Sequence, residues 1–478
     1  MKYFIPSTID LDLFISQIPV GVINPFKRKY LLYILDLITS IPANNKGLIL
    51  RDGFVPINAK ALQNKVRNYK QYLSYLVSSG VLWVDSQYIP GEKSRGYKFA
   101  PAFATPVKLV NENQKDIITK HNMKSFTSLS TAQAKQYRHL IKWYDACFQI
   151  DQGTAASFIL EDYKRKIQSP SLIECNEYTG QCKDPIEQYN SAYLNIDKFT
   201  RNEFHLKLDN FGKRLHSPLT NLRGELRNLL NYKQLPLTSI DIVNSQPYLS
   251  TLLFTPSFWG LSADIKELAL DFHILTYKSL GLTLNDIFNR YDMYSFIMLC
   301  KMAETNVNSD VHMYTEIVKS GRFYEYMAEQ TKTKSKERGK LKAAIFQVLF
   351  TDNRFIGQKS AAPKRKFREI FPDVYELFSL IKKKEKSNMP KLLQRIESHI
   401  VLSVITKRIS IEKPELPIFT IHDSIVTVQG YEDYVSQLMK CELKKMVGFA
   451  PKLMISCWKP ENLAFKNGEK YLRTQNAA

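Results

Sequence analysis

The sequence predicts a mixed α+β protein, with an antiparallel sheet in its C-terminal half and a small helix-and-hairpin module at its N-terminus. Three patterns predict it. An apolar strand ending at Asp241 runs into helical periodicity over Leu237–Phe254. Two β-rich stretches flank His422-Asp423-Ser424 within Pro417–Gly430, the pattern of a hairpin with an acidic tip. Near the N-terminus, a helical stretch is followed by two short strands separated by the turn YIPGEKSRG. With 478 residues, two or three domains are expected, and 44% hydrophobic and 12% aromatic residues exclude a disordered chain.

The N-terminal unit is read as residues 1–105. A helix is predicted over Ala59–Ser79, ended by Gly80, with strands at Val81–Asp85 and in GYKFA after it. Helix, strand, basic turn and strand resemble a winged helix with Lys93 and Arg95 on the wing. Such a wing reaches a phosphate backbone or serves as a protein-docking hairpin, and both readings stand. Residues 106–200 are mixed, with helical periodicity in TAQAKQYRHLIKWYDACF, and are read as a helical linking or thumb-like region. Residues 201–478 carry the chemistry.

Lys and Arg number 67 against 46 for Asp and Glu, a formal charge of +21 that favours a polyanionic partner, nucleic acid above all. A charge run is usually a solvated face, but two basic runs, Thr331–Lys342 and Lys382–Lys391, lie beside candidate catalytic segments, which favours phosphate contact. The six cysteines form no CxxC pair, so reduced thiols are expected and zinc is not. No apolar run approaches the ~20 residues of a membrane span, and the N-terminus lacks a signal peptide's apolar stretch, so a cytoplasmic protein is expected.

An aspartate at a strand end holds a metal ion or caps the following helix, and Asp241 fits both. Beside it, Asp423 would complete a two-carboxylate site for two magnesium ions and nucleotidyl transfer; as ordinary turn chemistry it would need no partner. ERGKLKAAIFQVLF sets Arg338, Lys342, Phe346 and Phe350 four residues apart, so two cations and two rings share one slowly drifting helix face. An ordinary amphipathic helix segregates charge from its apolar stripe. Cations suit a triphosphate and rings suit a base or sugar.

That segment resembles the fingers helix of family A DNA polymerases, the bacterial polymerase I group and its phage relatives. The resemblance implies a right-hand polymerase fold, with an antiparallel palm sheet and helical fingers and thumb. It implies that Arg338 and Lys342 bind the nucleotide phosphates, that Phe346 sits against the sugar, and that Phe350, where the family has Tyr, lies near the templating base. GKRLHSPLTNL at Gly212–Leu222 is similar to the primer-binding segment, with Arg214 in the minor groove. LLQRIESHI at Leu392–Ile400 is similar to a palm helix, with Gln394 near the primer terminus. Asp241 and Asp423 become the metal ligands, and His422 lies near the primer 3′ end. The glutamate that gates against ribose is absent, with Asn244 or Gln246 in its neighbourhood, and His-Asp-Ser stands where His-Asp-Glu is usual, a serine shared with single-subunit phage-type RNA polymerases.

The resemblance implies a compact DNA-directed DNA polymerase of a phage or mobile element, using Mg2+, primer–template DNA and nucleoside triphosphates, with a possible replication partner at the N-terminal domain. No carboxylate set for a 3′–5′ exonuclease is recognisable, so no proofreading is expected. The alternatives are a single-subunit RNA polymerase or primase on the same palm, and a catalytically inert DNA-binding replication protein.

Overall fold

The computed structural model describes residues 2–471 except 46–47, 49, 86–93, 113–127, 176–181, 261–275, 307–308, 332–337 and 469. Lys93 therefore lies outside the described residues. Strands β1 (Lys2–Pro6), β2 (Val55–Pro56), β3 (Leu82–Val84), β4 (Gly96–Phe99) and β5 (Val107–Asn111) belong to the N-terminal part. β2, β4 and β3 form an antiparallel sheet in that order, and helices Arg28–Asn44 and Tyr69–Ser78 pack on it. The helix predicted over Ala59–Ser79 is two helices, Ala59–Lys65 and Tyr69–Ser78. At the break β-branched Val66 takes an extended backbone, and its side chain is fully buried in the core. Gly80 ends the second helix at φ +75°, with Val81 N–H donating to Leu76 C=O and Gly80 N–H to Val77 C=O, a Schellman closure.

β1 pairs with β5 and joins two cores. Alternation along a strand sends successive side chains to opposite faces. Tyr3 and Ile5 join the N-terminal cluster around Leu31, Leu35 and Leu76, while Phe4 joins the main one.

The larger part adds β6 (Phe148–Ile150), β7 (Lys207–Leu208), β8 (Leu215–His216), β9 (Leu230–Tyr232), β10 (Leu235–Ile242), β11 (Ile418–Ile421), β12 (Ser424–Val428) and β13 (Leu453–Trp458). Six of them form one antiparallel sheet in the order β11-β12-β10-β9-β6, with β13 also on β10. β10 is central and its residues 237–240 are buried, as expected of a strand covered on both faces. The stretch before residue 200 takes part directly. It supplies β6, and Phe148 stacks on Phe419 of β11 with ring centroids 4.2 Å apart.

Six reduced thiols were expected, but Cys175 and Cys182 form a disulfide. The two residues face each other as an antiparallel bridge, and Lys183 N–H donates to Glu174 C=O beside it. The pairing closes one local loop, which counting cysteines along the chain does not reveal. No helix among the described residues is long and apolar enough to cross a membrane.

Candidate active site

The two aspartates meet at one end of the main sheet. Asp241 lies opposite Ser424 in the β10–β12 register, and Asp423 immediately precedes Ser424. Asp241 caps no helix. After β10 the chain turns at Asn244, in the left-handed region with φ 58°, and Asn244 precedes the helix Ser245–Ser250. The Asp241 carboxylate instead accepts hydrogen bonds from the hydroxyls of Ser239 (2.9 Å) and Ser424.

Ile421 pairs with Ser424, so His422 and Asp423 are the two-residue tip of the β11–β12 hairpin. Two-residue hairpin loops call for positive φ, which glycine, asparagine and aspartate usually supply. Here His422 holds φ 56°, and its buried Nδ1 has no hydrogen-bond partner. Burial first, then the charges of Arg214, His216 and Arg227, push the imidazole down to about 4. His422 is therefore neutral at pH 7. The Asp423 carboxyl is raised, by burial first and also by the negative charge of Asp241, while a hydrogen bond from Ser245 and the charge of Arg214 oppose the shift.

Residues 207–217 form the adjacent wall. The Asp209 carboxylate accepts from the N–H groups of Gly212 (2.6 Å) and Arg214 (2.9 Å) and pairs with His216 Nε2 (3.1 Å). These partners hold Asp209 far below the usual carboxylate range. The His216 ring stands 6.0 Å from the His422 ring, edge to face.

Helix Asn388–Ser398 clamps this wall through one face. Gln394 packs so closely on Gly212 that a Cβ there would lie 2.4 Å from Gln394 Oε1; only glycine fits. Arg395 Nε donates to Phe211 C=O (3.1 Å), and Ser398 Oγ donates to Gly212 C=O (2.8 Å). Glu397, whose side chain is 2% exposed, takes Arg214 Nε and Nη2 on its two oxygens at 2.8 Å each. It also accepts from Gln246 Nε2 at 2.8 Å. Burial pushes its carboxyl up to about 7 against the pull of Arg214.

Sequence reading missed Glu397. A usable signal was its place three residues after Gln394, on the same helix face.

Helix Arg338–Phe350 packs against helix Asn388–Ser398 and buries Ile345, Val348 and Leu349. On its outer side Lys342 is exposed, with its Nζ 5.7 Å from the centre of the Phe346 ring. Phe346 stacks on Phe350 at 5.2 Å and 20°. The Arg338 backbone begins this helix, and its side chain lies outside the described residues.

In the basic run at Lys382, where phosphate contact was favoured, the first three lysines are instead engaged within the fold. Lys382 is buried and donates to Val348 C=O (2.6 Å) and Thr351 C=O (3.3 Å), at the C-terminal end of helix Arg338–Phe350. Lys383 pairs with Asp292, and Lys384 donates to Asn285 C=O. The last carbonyls of a helix attract a cation, and that accounts for Lys382.

Neither a family model nor a curated protein matches the chain. Among solved structures, it is similar to the POL domain of Pol1 from M. smegmatis, solved with DNA primer-template and dNTP. The similarity covers 67% of this chain and 69% of that one, at 9% identity and a TM-score of 0.36.

The residues fit a divalent metal of the magnesium kind. Two carboxylates stand close enough for the charge of Asp241 to raise Asp423, a repulsion that a bound cation would relieve. Magnesium takes hard oxygen donors and is satisfied by one or two carboxylates plus phosphate and water. No group of three or more His, Cys, Asp or Glu that could hold a metal occurs among the described residues.

Proposed function

We propose that this chain performs template-directed nucleotidyl transfer with two magnesium ions, as a compact DNA-directed DNA polymerase without proofreading. In this reading the main sheet is the palm of a right-hand fold and helix Arg338–Phe350 belongs to the fingers. One observation carries the proposal: Asp241 and Asp423 come together at a sheet end beside Arg214, Gln246 and His422.

Asp241 and Asp423 would hold the ions, which supply charge neutralisation of the triphosphate and a lower pKa for the attacking hydroxyl when bound. The primer 3′-oxygen bonds to the α-phosphorus, and pyrophosphate leaves. Arg214 contacts the primer strand, Gln394 lies near its terminus, and neutral His422 offers a hydrogen bond at the 3′ end without adding charge. Lys342 and Arg338 receive the phosphates, Phe346 meets the sugar, and Phe350 lies near the templating base. The N-terminal module would add duplex contacts: residues 59–80 hold Lys60, Lys65, Arg67 and Lys70 but no Asp or Glu, and Lys60, Lys70 and Arg95 line one groove of about 1110 Å³.

A second reading, RNA polymerisation or priming, is favoured by Ser424. The residue after Asp423 is a hydroxyl donor that bonds to Asp241, not a third carboxylate. Primer extension with deoxynucleotides and ribonucleotides offered separately tests the choice. Efficient extension with deoxynucleotides is expected; extension with ribonucleotides only would replace the first reading by the second, and extension with neither would remove both.

A further inference from the structure

Glu397 is the most deeply buried acid at this site, and it joins three segments that sequence places far apart. Arg214 comes from the β7–β8 wall, Gln246 from the helix that follows β10, and Glu397 from helix Asn388–Ser398. Its two oxygens take three donors at 2.8 Å. An ionised carboxylate only accepts, so it requires the amide NH2 of Gln246 and turns that side chain's oxygen away. Gln246 Oε1 is indeed buried with no hydrogen-bond partner. Arginine offers five N–H groups in a rigid fork; with Nε and Nη2 on Glu397, the direction of Nη1 is set. The brace is close enough to Asp423 for its charge to act on Glu397.

We propose that Glu397 is a positioning residue, whose one carboxylate fixes both Arg214 on the primer side of the aspartate pair and Gln246, which stands in the neighbourhood of the family's ribose-gating position, on the nucleotide side. The two substrates are thereby held in one register across the reacting centre. The proposal rests on the polymerase reading above. It also accounts for a buried acid where packing alone favours an apolar side chain, since a buried ion pair is weak evidence for stability.

The test uses the full chain and a fluorescent primer–template. Its affinity is read by anisotropy without nucleotide, and nucleotide KM by single-nucleotide incorporation. Glu397→Gln should weaken primer–template binding about ten-fold, the scale of trading a charge-assisted hydrogen bond for a neutral one, and should raise KM as well. In an Arg214→Gln background the same change should cost little further primer–template affinity, because the partner through which it acts is gone. Affinity and KM both within about two-fold of wild type, or a full additive loss in the Arg214→Gln background, would overturn the proposal.

If Glu397→Gln does not fold, as judged by circular dichroism, Glu397→Asp decides. A shorter carboxylate keeps the charge but withdraws from both donors on Oε2, Arg214 Nη2 and Gln246 Nε2, so KM should rise and primer–template affinity should fall together. Unchanged KM in Glu397→Asp would sink the idea. Failure of the polymerase reading looks different: wild type then binds primer–template with the predicted Arg214 dependence but incorporates nothing. Absence of primer–template binding by wild type would end both.

Discussion

Two of the places where this molecule buries charge treat it in opposite ways. At the C-terminal end of helix Arg338–Phe350, Lys382 and Lys364 donate to the carbonyls of Val348, Thr351 and Asp352. Both are pushed down by burial, Lys382 to about 7. The lysines complete a helix end, with their ammonium groups on its carbonyls. At the sheet end, Asp241 and Asp423 repel each other, His422 Nδ1 and Gln246 Oε1 are buried without partners, and Glu397 is held near its titration point. A basic run and the cluster around Asp241 and Asp423 look equally charged in sequence. What separates them is whether the folded chain uses up their hydrogen bonds.

The contrast can be broken at either place. Lys342 is exposed and has no carboxylate partner among the described residues, so it belongs with the open cluster although it lies on the same helix that Lys382 closes. Lys342→Ala should raise nucleotide KM roughly ten- to hundred-fold, the worth of a charge-assisted phosphate contact, with the melting temperature unchanged. A lowered melting temperature with normal KM would place Lys342 with the structural lysines. Lys382→Met should do the reverse. Two buried carbonyls lose their donor at a cost of about 1–3 kcal/mol, read as a fall in melting temperature, with only a few-fold rise in KM. A variant as stable as wild type would show that the helix end needs no cation.

The smallest effect is in pH. Below about pH 7 the native Glu397 carboxyl, raised from 4.5 mainly by burial, keeps a proton that the unfolded chain has lost, and above it the ionised carboxylate braces Arg214 and Gln246. Its contribution to stability is therefore present at low pH and lost as pH rises through about 7. His422, lowered from 6.5 to about 4, has the opposite sign: its contribution is present above 6.5 and lost as pH falls through about 4. Comparing wild type with Glu397→Gln by thermal unfolding isolates the first. The melting-temperature difference should favour wild type most near pH 5 and shrink towards about pH 8. A difference constant across that range would contradict the burial of an ionisable Glu397.

Much of the sheet end that carries Asp241 and Asp423 was legible because its signals are local. Strand alternation, a turn before a helix, and a two-residue hairpin tip are each written within a dozen residues, and β10 and the β11–β12 hairpin follow them closely. Gly80 was readable as a helix stop for the same reason. The i, i+4 row also gives local contacts, with Lys342 over Phe346 and Phe346 on Phe350. What stayed hidden depends on distant partners. Glu397 matters through Arg214, 183 residues away, and Gln246, 151 residues away. Lys382 looked like solvent-facing charge because the carbonyls it satisfies lie more than 30 residues earlier. Val66 broke a helix that its neighbours favoured because core burial outweighed propensity.

In the proposed reaction Asp241 and Asp423 act together. The most direct measurement is single-turnover primer extension with magnesium by wild type, Asp241→Asn and Asp423→Asn, each shown folded by its melting temperature. Near-isosteric amides keep the shape but remove the charge that would hold the ions. Extension by wild type is expected, with a loss of about a thousand-fold or more in each variant and primer–template binding retained. Extension by either variant within about ten-fold of wild type would contradict that joint role.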